Sequence, residues 1–348
     1  LSVYAVRALR ELRAFAPDAA LFEMVRTRIL ETVQDWCNDS AYAQGYRLAS
    51  YCGYDAYMYP VVAYEDVLPT LTVQDVADWL QTYFERGVRI VTFFEGNLTK
   101  ERAVELTGLF QSTLALPVAP PAELLNNHPT EIPRGRTTLD LPRLGDDTNS
   151  AVVVLRASRH RTTADEDLNT VYAMLAANLV QAPFYGTLRT QQQLGYVVLS
   201  SCASETYRDG VCFVVQSSTH APDALSRHID AFLAQTPALA ERLSDADFAA
   251  AVDALVKSLE IKPKTLKADA EDNWPAVQQG TLAFAQWKGT VELCRQCTRE
   301  GLVEYVRTHL VPGGAEEREF AVRIWGQYKS QAELDAARAQ RRSPGRPL

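Results

Sequence analysis

Apolar and polar positions alternate at helical spacing over much of the chain and at strand spacing in a few short runs. In residues 18–36, Leu21, Phe22, Val25, Ile29, Leu30 and Val33 form one stripe behind Asp18, which follows Pro17 and can cap the helix. Residues 41–52 predict a second helix. Thr72-Val-Gln-Asp75 opens a third, with Asp where a capping box usually carries Glu, and the helix stops at Gly87. Residues 88–95 are β-branched and aromatic and predict a strand; Thr99 caps a fourth helix through about Leu114. Between the second and third helices lies a loop-like tyrosine cluster, Tyr54, Tyr57, Tyr59 and Tyr64. It reads as a peptide-contacting surface or as half-buried packing.

Residues 116–136 carry Pro117, Pro120, Pro121, Pro129 and Pro133. Proline removes backbone donors and fixes φ, so this stretch predicts an extended connector. Beyond it, residues 137–141 and 151–156 predict strands, 165–181 a helix, and 197–201 with 211–217 a hairpin. Helices over 223–234, 245–261 and 266–286 follow, the last kinked or restarted by Pro275. Thr298 begins a helix through His309, residues 320–325 predict a strand, and 330–341 a helix before a basic tail that predicts disorder.

The two parts end alike. A Thr-capped helix leads to Arg89–Gly96 in the first and to Phe320–Gly326 in the second, and a charged helix follows each. The second part has ~110 further residues ahead of its matching helices. The chain therefore predicts an α+β fold with mostly antiparallel sheet packed by helices, one complete copy plus the back half of another. The domain boundaries on this reading are 1–118 (back half of a penultimate domain), 119–137 (linker), 138–329 (complete domain) and 330–348 (helical end and tail). A half-domain leaves an apolar helix face uncovered. The chain has no initiator Met and reads as a fragment or a processed piece.

Of the 348 residues, 47% are apolar and 22% charged, a globular balance. The net charge of −8 argues against nucleic-acid and anionic-membrane surfaces. No apolar run approaches the ~20 residues of a membrane span. Arg7, Arg10 and Glu11 interrupt the first apolar pattern, which is not that of a signal peptide. Six cysteines without such a signal read as reduced thiols filling core space, and place the chain in the cytoplasm or another intracellular compartment. Cys294-Arg-Gln-Cys297 lacks the second pair of a zinc ribbon.

Nucleotide and serine-hydrolase signatures are absent, and none of the five histidines forms H-E-x-x-H or H-x-x-E-H. His128-Pro-Thr-Glu131 has prolines where a ligand helix would need to run. His220 and His228, with Asp223 near, are weighed as a zinc site; scattered surface histidines are the preferred reading.

The most distinctive stretch is residues 184–196, between a helix and a strand. A helix ending at Gly195 by a left-handed cap would put Arg189 near its end and Tyr196 at the start of the strand. Seven residues apart, the two fall on roughly one side. A guanidinium beside a phenol can hold a peptide carbonyl or an oxyanion formed from one; a plain surface connection is the alternative. Arg189-Thr190 with Gln193-Leu194-Gly195-Tyr196 resembles the R-T-x-x-Q-L-G-Y signature of the insulinase/pitrilysin zinc metallopeptidases. Gly210–Ser217, Lys262-Pro-Lys264-Thr-Leu266 and Phe94-Glu-Gly-Asn97-Leu-Thr99 add matches in the family's order, over roughly residues 8 to 330.

The resemblance implies four homologous α+β domains of the metallopeptidase LuxS/MPP-like type, in two halves that close around a chamber. It implies that the zinc-binding H-x-x-E-H helix lies in a first domain outside this chain, so that this chain binds no metal and is inactive alone. It further implies that Arg189 and Tyr196 bind substrate, and that Tyr196 serves catalysis by stabilising the oxyanion. The partners implied are peptide substrates and the protein's own N-terminal half, with a homodimer left open and no nucleic acid or membrane. The competing reading is a peptide-binding or structural homologue whose parent has lost the zinc motif.

Overall fold

The computed structural model describes residues 2–52, 63–119, 130–144, 148–158, 167–205, 208–278 and 280–326. They form two compact units that interleave along the chain. One contains Leu1–Gln34, Val61–Asn126 and Lys262–Phe284; the other contains Asp35–Pro60, Asn127–Ile261 and Ala285–Leu348.

The larger unit is built on a five-stranded mixed sheet in the order β1-β5-β2-β4-β3. The strands are β1 (Gly135–Pro142), β2 (Ser150–Ala157), β3 (Val197–Glu205), β4 (Arg208–Ser217) and β5 (Arg318–Trp325). β1 runs parallel to β5; β2 is antiparallel to β5 and β4, and β4 to β3. The predicted strands and hairpin are present, lengthened at their ends. Seven of the eight residues of β2 are buried, because both faces of the sheet are covered. Successive strand residues face opposite sides. Val152, Val154, Val211, Phe213 and Val215 therefore join the core under the helix Leu168–Phe184, while Val153, Cys212 and Val214 face Tyr42 and Ala49. Each fully buried aliphatic or aromatic side chain contributes about 1.5–3 kcal/mol relative to exposure.

Tyr42 and Ala49 belong to the helix Ala41–Cys52, which the linear order places with the first part of the chain. In the structure it packs on the sheet of the larger unit. The backbone N–H of Tyr42 donates to Gln216 Oε1 (3.0 Å), and Gln44 Nε2 donates to the Leu144 carbonyl (3.1 Å).

A charged network crosses one end of this sheet. Arg156 on β2 has no exposed surface and pairs with Glu317, with Glu319 and, at 3.1 Å, with Asp230. Arg136 on β1 pairs with the same Asp230 and Glu317 at 2.8 Å. Burial pushes the Glu319 carboxyl up against the pull of both arginines. Burial also opposes ionisation of Glu317, but hydrogen bonds from Arg136 and Arg156 win and hold it below the usual carboxylate range.

The smaller unit is helical. Thr72 accepts from Asp75 N–H and Asp75 returns a bond to Thr72 N–H, the predicted capping box; Thr99 caps Lys100–Leu114. The strand predicted over residues 88–95 is not formed: Val88 makes one isolated bridge to Val118. A strand exists only through a neighbour that takes up its backbone groups, and the β-branched sequence here has none beyond that bridge among the described residues. Side chains hold the segment instead. Thr92 bonds Thr107 through their hydroxyls (2.7 Å), and Phe93 stacks on Phe284 with centroids 5.9 Å apart. The helix expected over 266–286 ends at Gln278, carries Pro275 inside it, and is separated by a turn at Gly280 (φ 71°) from the helix Trp287–Cys294. Trp79 and Val104 are well exposed on this unit. The tyrosines at 54, 57 and 59, three of the connector prolines, the helix over 330–341 and the tail lie outside the described residues.

Candidate functional site

The stretch singled out in the sequence extends the long central helix. Asp167 caps Leu168–Phe184 with both halves of a capping box. Pro183 sits inside the helix and has no N–H for the carbonyl four residues back. Just beyond it the winding widens into a π-helical segment, Tyr185–Gln191. Gln192 N–H bonds the Thr187 carbonyl (2.9 Å) and Leu194 N–H the Leu188 carbonyl (3.0 Å). Gln193 takes the left-handed conformation (φ 54°). Leu188 and Leu194, both buried, flank this terminus, and the bond between their backbones spans one residue more than a Schellman closure does, as the π-wound last turn requires.

The left-handed cap expected at Gly195 is thus at Gln193 instead. Gly195 is needed for another reason. A Cβ there would lie 1.8 Å from the Gln216 carbonyl oxygen and 3.1 Å from Ser217 Cα, so the chain leaves the helix pressed against the end of β4. Glycine permits that approach because it carries no side chain.

One residue on, Tyr196 is 86% exposed. Val197 pairs with Gln216 as the first rung of the β3–β4 ladder. Tyr196 itself lies in the bend just ahead of β3, beside the end of β4. The guanidinium carbon of half-buried Arg189 stands 5.6 Å from the centre of the Tyr196 ring, a cation–π distance. The predicted pair is brought together, not by two turns of one helix but by the left-handed reversal at Gln193 between them. It presents a fixed cation and an exposed phenol at one end of the sheet. Such a pair can donate hydrogen bonds to a carbonyl or to the oxyanion derived from it.

A second feature shares that end of the sheet. His220 N–H donates to Ser217 Oγ (3.1 Å), and the His220 ring places Nδ1 2.9 Å from Thr219 Oγ1. The His228 ring, from the helix Pro222–Leu233, meets the His220 ring edge to face with centroids 5.9 Å apart. Burial, then the charges of His220 and Arg227, lower the His228 pKa. The expectation of scattered histidines fails for these two. Asp223 does not join them; its carboxylate pairs with Arg227 at 2.9 Å. The eight-residue spacing hides the contact, because one histidine is in a loop and the other on a helix.

The other candidates bring no chemistry together. Cys297 Sγ bonds the Cys294 carbonyl (2.9 Å), a local contact within C-x-x-C. His309 is buried and stacks on Tyr305 at 4.5 Å. His128 and His160 lie outside the described residues. Among the described residues no group of three His, Cys, Asp or Glu side chains could hold a metal ion. No described helix is long and apolar enough to cross a membrane.

Comparison with known proteins gives this geometry its context. Residues 175–274, which include Arg189 and Tyr196, match the family described as PQQ synthase PqqF-like, C-terminal lobe domain 4. Insulin-degrading enzyme-like 1, peroxisomal, of Arabidopsis thaliana is 24% identical over 270 residues, which are 75% of this chain and 27% of the relative. The A-factor-processing enzyme of Saccharomyces cerevisiae is 24% identical over 326 residues, 91% of this chain and 30% of the relative. The crystal structure of pitrilysin shares the fold with a TM-score of 0.74 at 20% identity, over 91% of this chain and 33% of that one. The chain thus spans about a quarter to a third of the curated relatives it matches.

Proposed function

We propose, from the chain's homology to the C-terminal region of the insulin-degrading enzyme and pitrilysin metallopeptidases, that it is the non-catalytic wall of a zinc endopeptidase chamber. On this reading the back half of a third domain and a whole fourth domain close over a peptide whose scissile bond is cleaved at a metal held elsewhere. The residues described here do not fit a catalytic zinc, since no three-ligand group occurs among them, and no step is assigned to the metal through this chain. The chain alone is inactive; its partners are the peptide and the N-terminal half of the same protein. An intracellular, cytoplasmic setting belongs to the same reading, supported by cysteines such as Cys212 that serve as buried apolar filler.

The observation that carries the proposal is the Arg189–Tyr196 pair, ring and cation 5.6 Å apart, with the phenol projecting from the sheet. Arg189 holds a backbone carbonyl of the peptide. The Tyr196 O–H donates to the carbonyl oxygen of the scissile bond as negative charge develops on it. In a closed chamber of low dielectric such a donor is stronger than in water. Losing one oxyanion donor costs about 10²–10³ in kcat. The test is Tyr196→Phe in the reconstituted two-half enzyme, assayed on a fluorogenic peptide. A kcat reduced about 100-fold with KM little changed is expected. An unchanged kcat removes the oxyanion role. Peptide hydrolysis by this chain alone overturns the non-catalytic assignment.

A further inference from the structure

We propose that the outer edge of β3 is the docking strand for an extended peptide, which joins the sheet beside Val198 and Ser200 and runs on to the Arg189–Tyr196 pair. The inference rests on the chamber reading above and names how this wall holds its peptide.

Backbone direction carries it. β3 ends the strand order, and among the described residues only β4 pairs with it. In an antiparallel pair, opposed residues alternate between exchanging both backbone bonds and turning both groups away. Ser158 N–H donates to the Asp209 carbonyl (2.6 Å), just beyond the Ala157–Gly210 rung, so Asp209 and every second residue after it on β4 face β2. Gly210, Cys212, Val214 and Gln216 therefore face β3, where they meet Ala203, Ser201, Leu199 and Val197. The N–H and C=O of Val198 and Ser200 are left turned outward. The Ser200 carbonyl agrees with that direction: the Gln181 side-chain amide reaches it, at a long 3.5 Å.

The side chains suit the same use. Outer strands are ordinarily protected from added strands by charge or proline. The opposite edge, β1, carries Arg136, Asp140 and Pro142, whereas residues 197–204 hold neither a charge nor a proline. Leu199 shares its face with Val197 and Ala203 and is 52% exposed. The helix Ala41–Cys52 covers that face chiefly over β2 and β5, which leaves Leu199 open. In strand addition the backbone bonds give affinity and neighbouring side chains give selectivity. The partner is thus an uncharged, extended segment with a large apolar residue against Leu199. Such a strand lies about 4.8 Å outside β3. Followed toward the start of β3, it comes to the exposed Tyr196 phenol, which stands in the bend immediately ahead.

The probe is a Val- and Leu-rich peptide, with analogues N-methylated at single backbone nitrogens, titrated into the 348-residue chain. Amide exchange at Val198 and Ser200 is expected to slow on binding. N-methylation is expected to abolish binding at every second peptide position and to spare the positions between, the signature of one bonded edge. Leu199→Lys is expected to weaken binding about 10-fold and to raise KM with kcat kept in the reconstituted peptidase. Thr138→Lys, on the β1 edge, should change neither. Unslowed exchange at Val198 and Ser200, no alternation among the analogues, or a Leu199→Lys chain that matches the parent in binding or in KM overturns the proposal. A concentration-dependent dimer that protects β3 without peptide also overturns it, because a second copy then takes the edge. Each of these results leaves untouched the kcat loss in Tyr196→Phe, on which the oxyanion role stands.

Discussion

Gly195→Ala isolates the steric argument for the Arg189–Tyr196 site, because it adds one methyl group and removes no functional atom. The new Cβ would sit 1.8 Å from the Gln216 carbonyl oxygen, 2.8 Å from its carbonyl carbon and 3.1 Å from Ser217 Cα. All three are backbone atoms, with no side-chain rotamer to give way. Reaching even 3.0 Å from the oxygen requires a retreat of about 1.2 Å between the residue 194–196 segment and the end of β4. Overpacking of this kind costs about 1–3 kcal/mol, so the chain should stay folded with a lower Tm. Tyr196 is the next residue and must move with the backbone. A misplacement of about 1 Å in a positioned group costs about 10²-fold in rate. The expected result is a kcat near that of Tyr196→Phe in the reconstituted peptidase, although the phenol is still present. Gly186→Ala is the control: nothing lies within 4 Å of its added Cβ and it sits in helical backbone. It should match the parent in rate and stabilise by about 0.5–1 kcal/mol. Full activity in Gly195→Ala, or equal losses in both variants, would refute the reasoning.

Two further outcomes follow from buried charge. Arg156→Met leaves Glu317 and Glu319, only 8% and 6% exposed, with the part-exposed Arg136 as their remaining cation, and should destabilise the chain by about 3 kcal/mol in urea unfolding; a loss under 1 kcal/mol would show that the arginine is dispensable. In the helical unit, both Glu95 carboxylate oxygens are out of solvent, beside the side chains of Asp269 and Asn273. Burial first, and the adjacent Asp269 carboxylate second, hold the Glu95 pKa above its ordinary value. The folded state therefore keeps a proton that the unfolded chain releases. Stability falls as pH rises from the ordinary carboxylate value through the raised one. Glu95→Gln should flatten that slope and raise Tm at neutral pH; an unchanged pH profile of Tm would count against it.

Local chemistry was legible from residues close in sequence. Asp18, Thr72, Thr99 and Thr298 all cap the helices assigned to them, because a cap needs only its own side chain and the next three residues. The strands of the larger unit were legible because their β-branched runs have neighbours of the same kind. The 88–95 run carries the same signal without such a neighbour, which no window of sequence can report. The helix Ala41–Cys52 looked like part of the first domain by position; its bonds to Gln216 and Leu144 are decided by residues 100 or more positions away.

The candidate site divides along the same line. The sequence alone singled out Arg189 and Tyr196 as the candidate pair, and it contains no H-x-x-E-H motif. The tertiary structure decided how they meet. Gln193, an unremarkable glutamine in the sequence, takes the left-handed turn, and Gly195 is required because β4 passes against it. The meeting of His220 with His228 is likewise decided by the loop that Ser217 locks. Helix caps and periodicity act over a few residues and are written locally. Close approach between strands and the meeting of two rings depend on where distant backbone lies, and that is fixed only when the sheet is assembled.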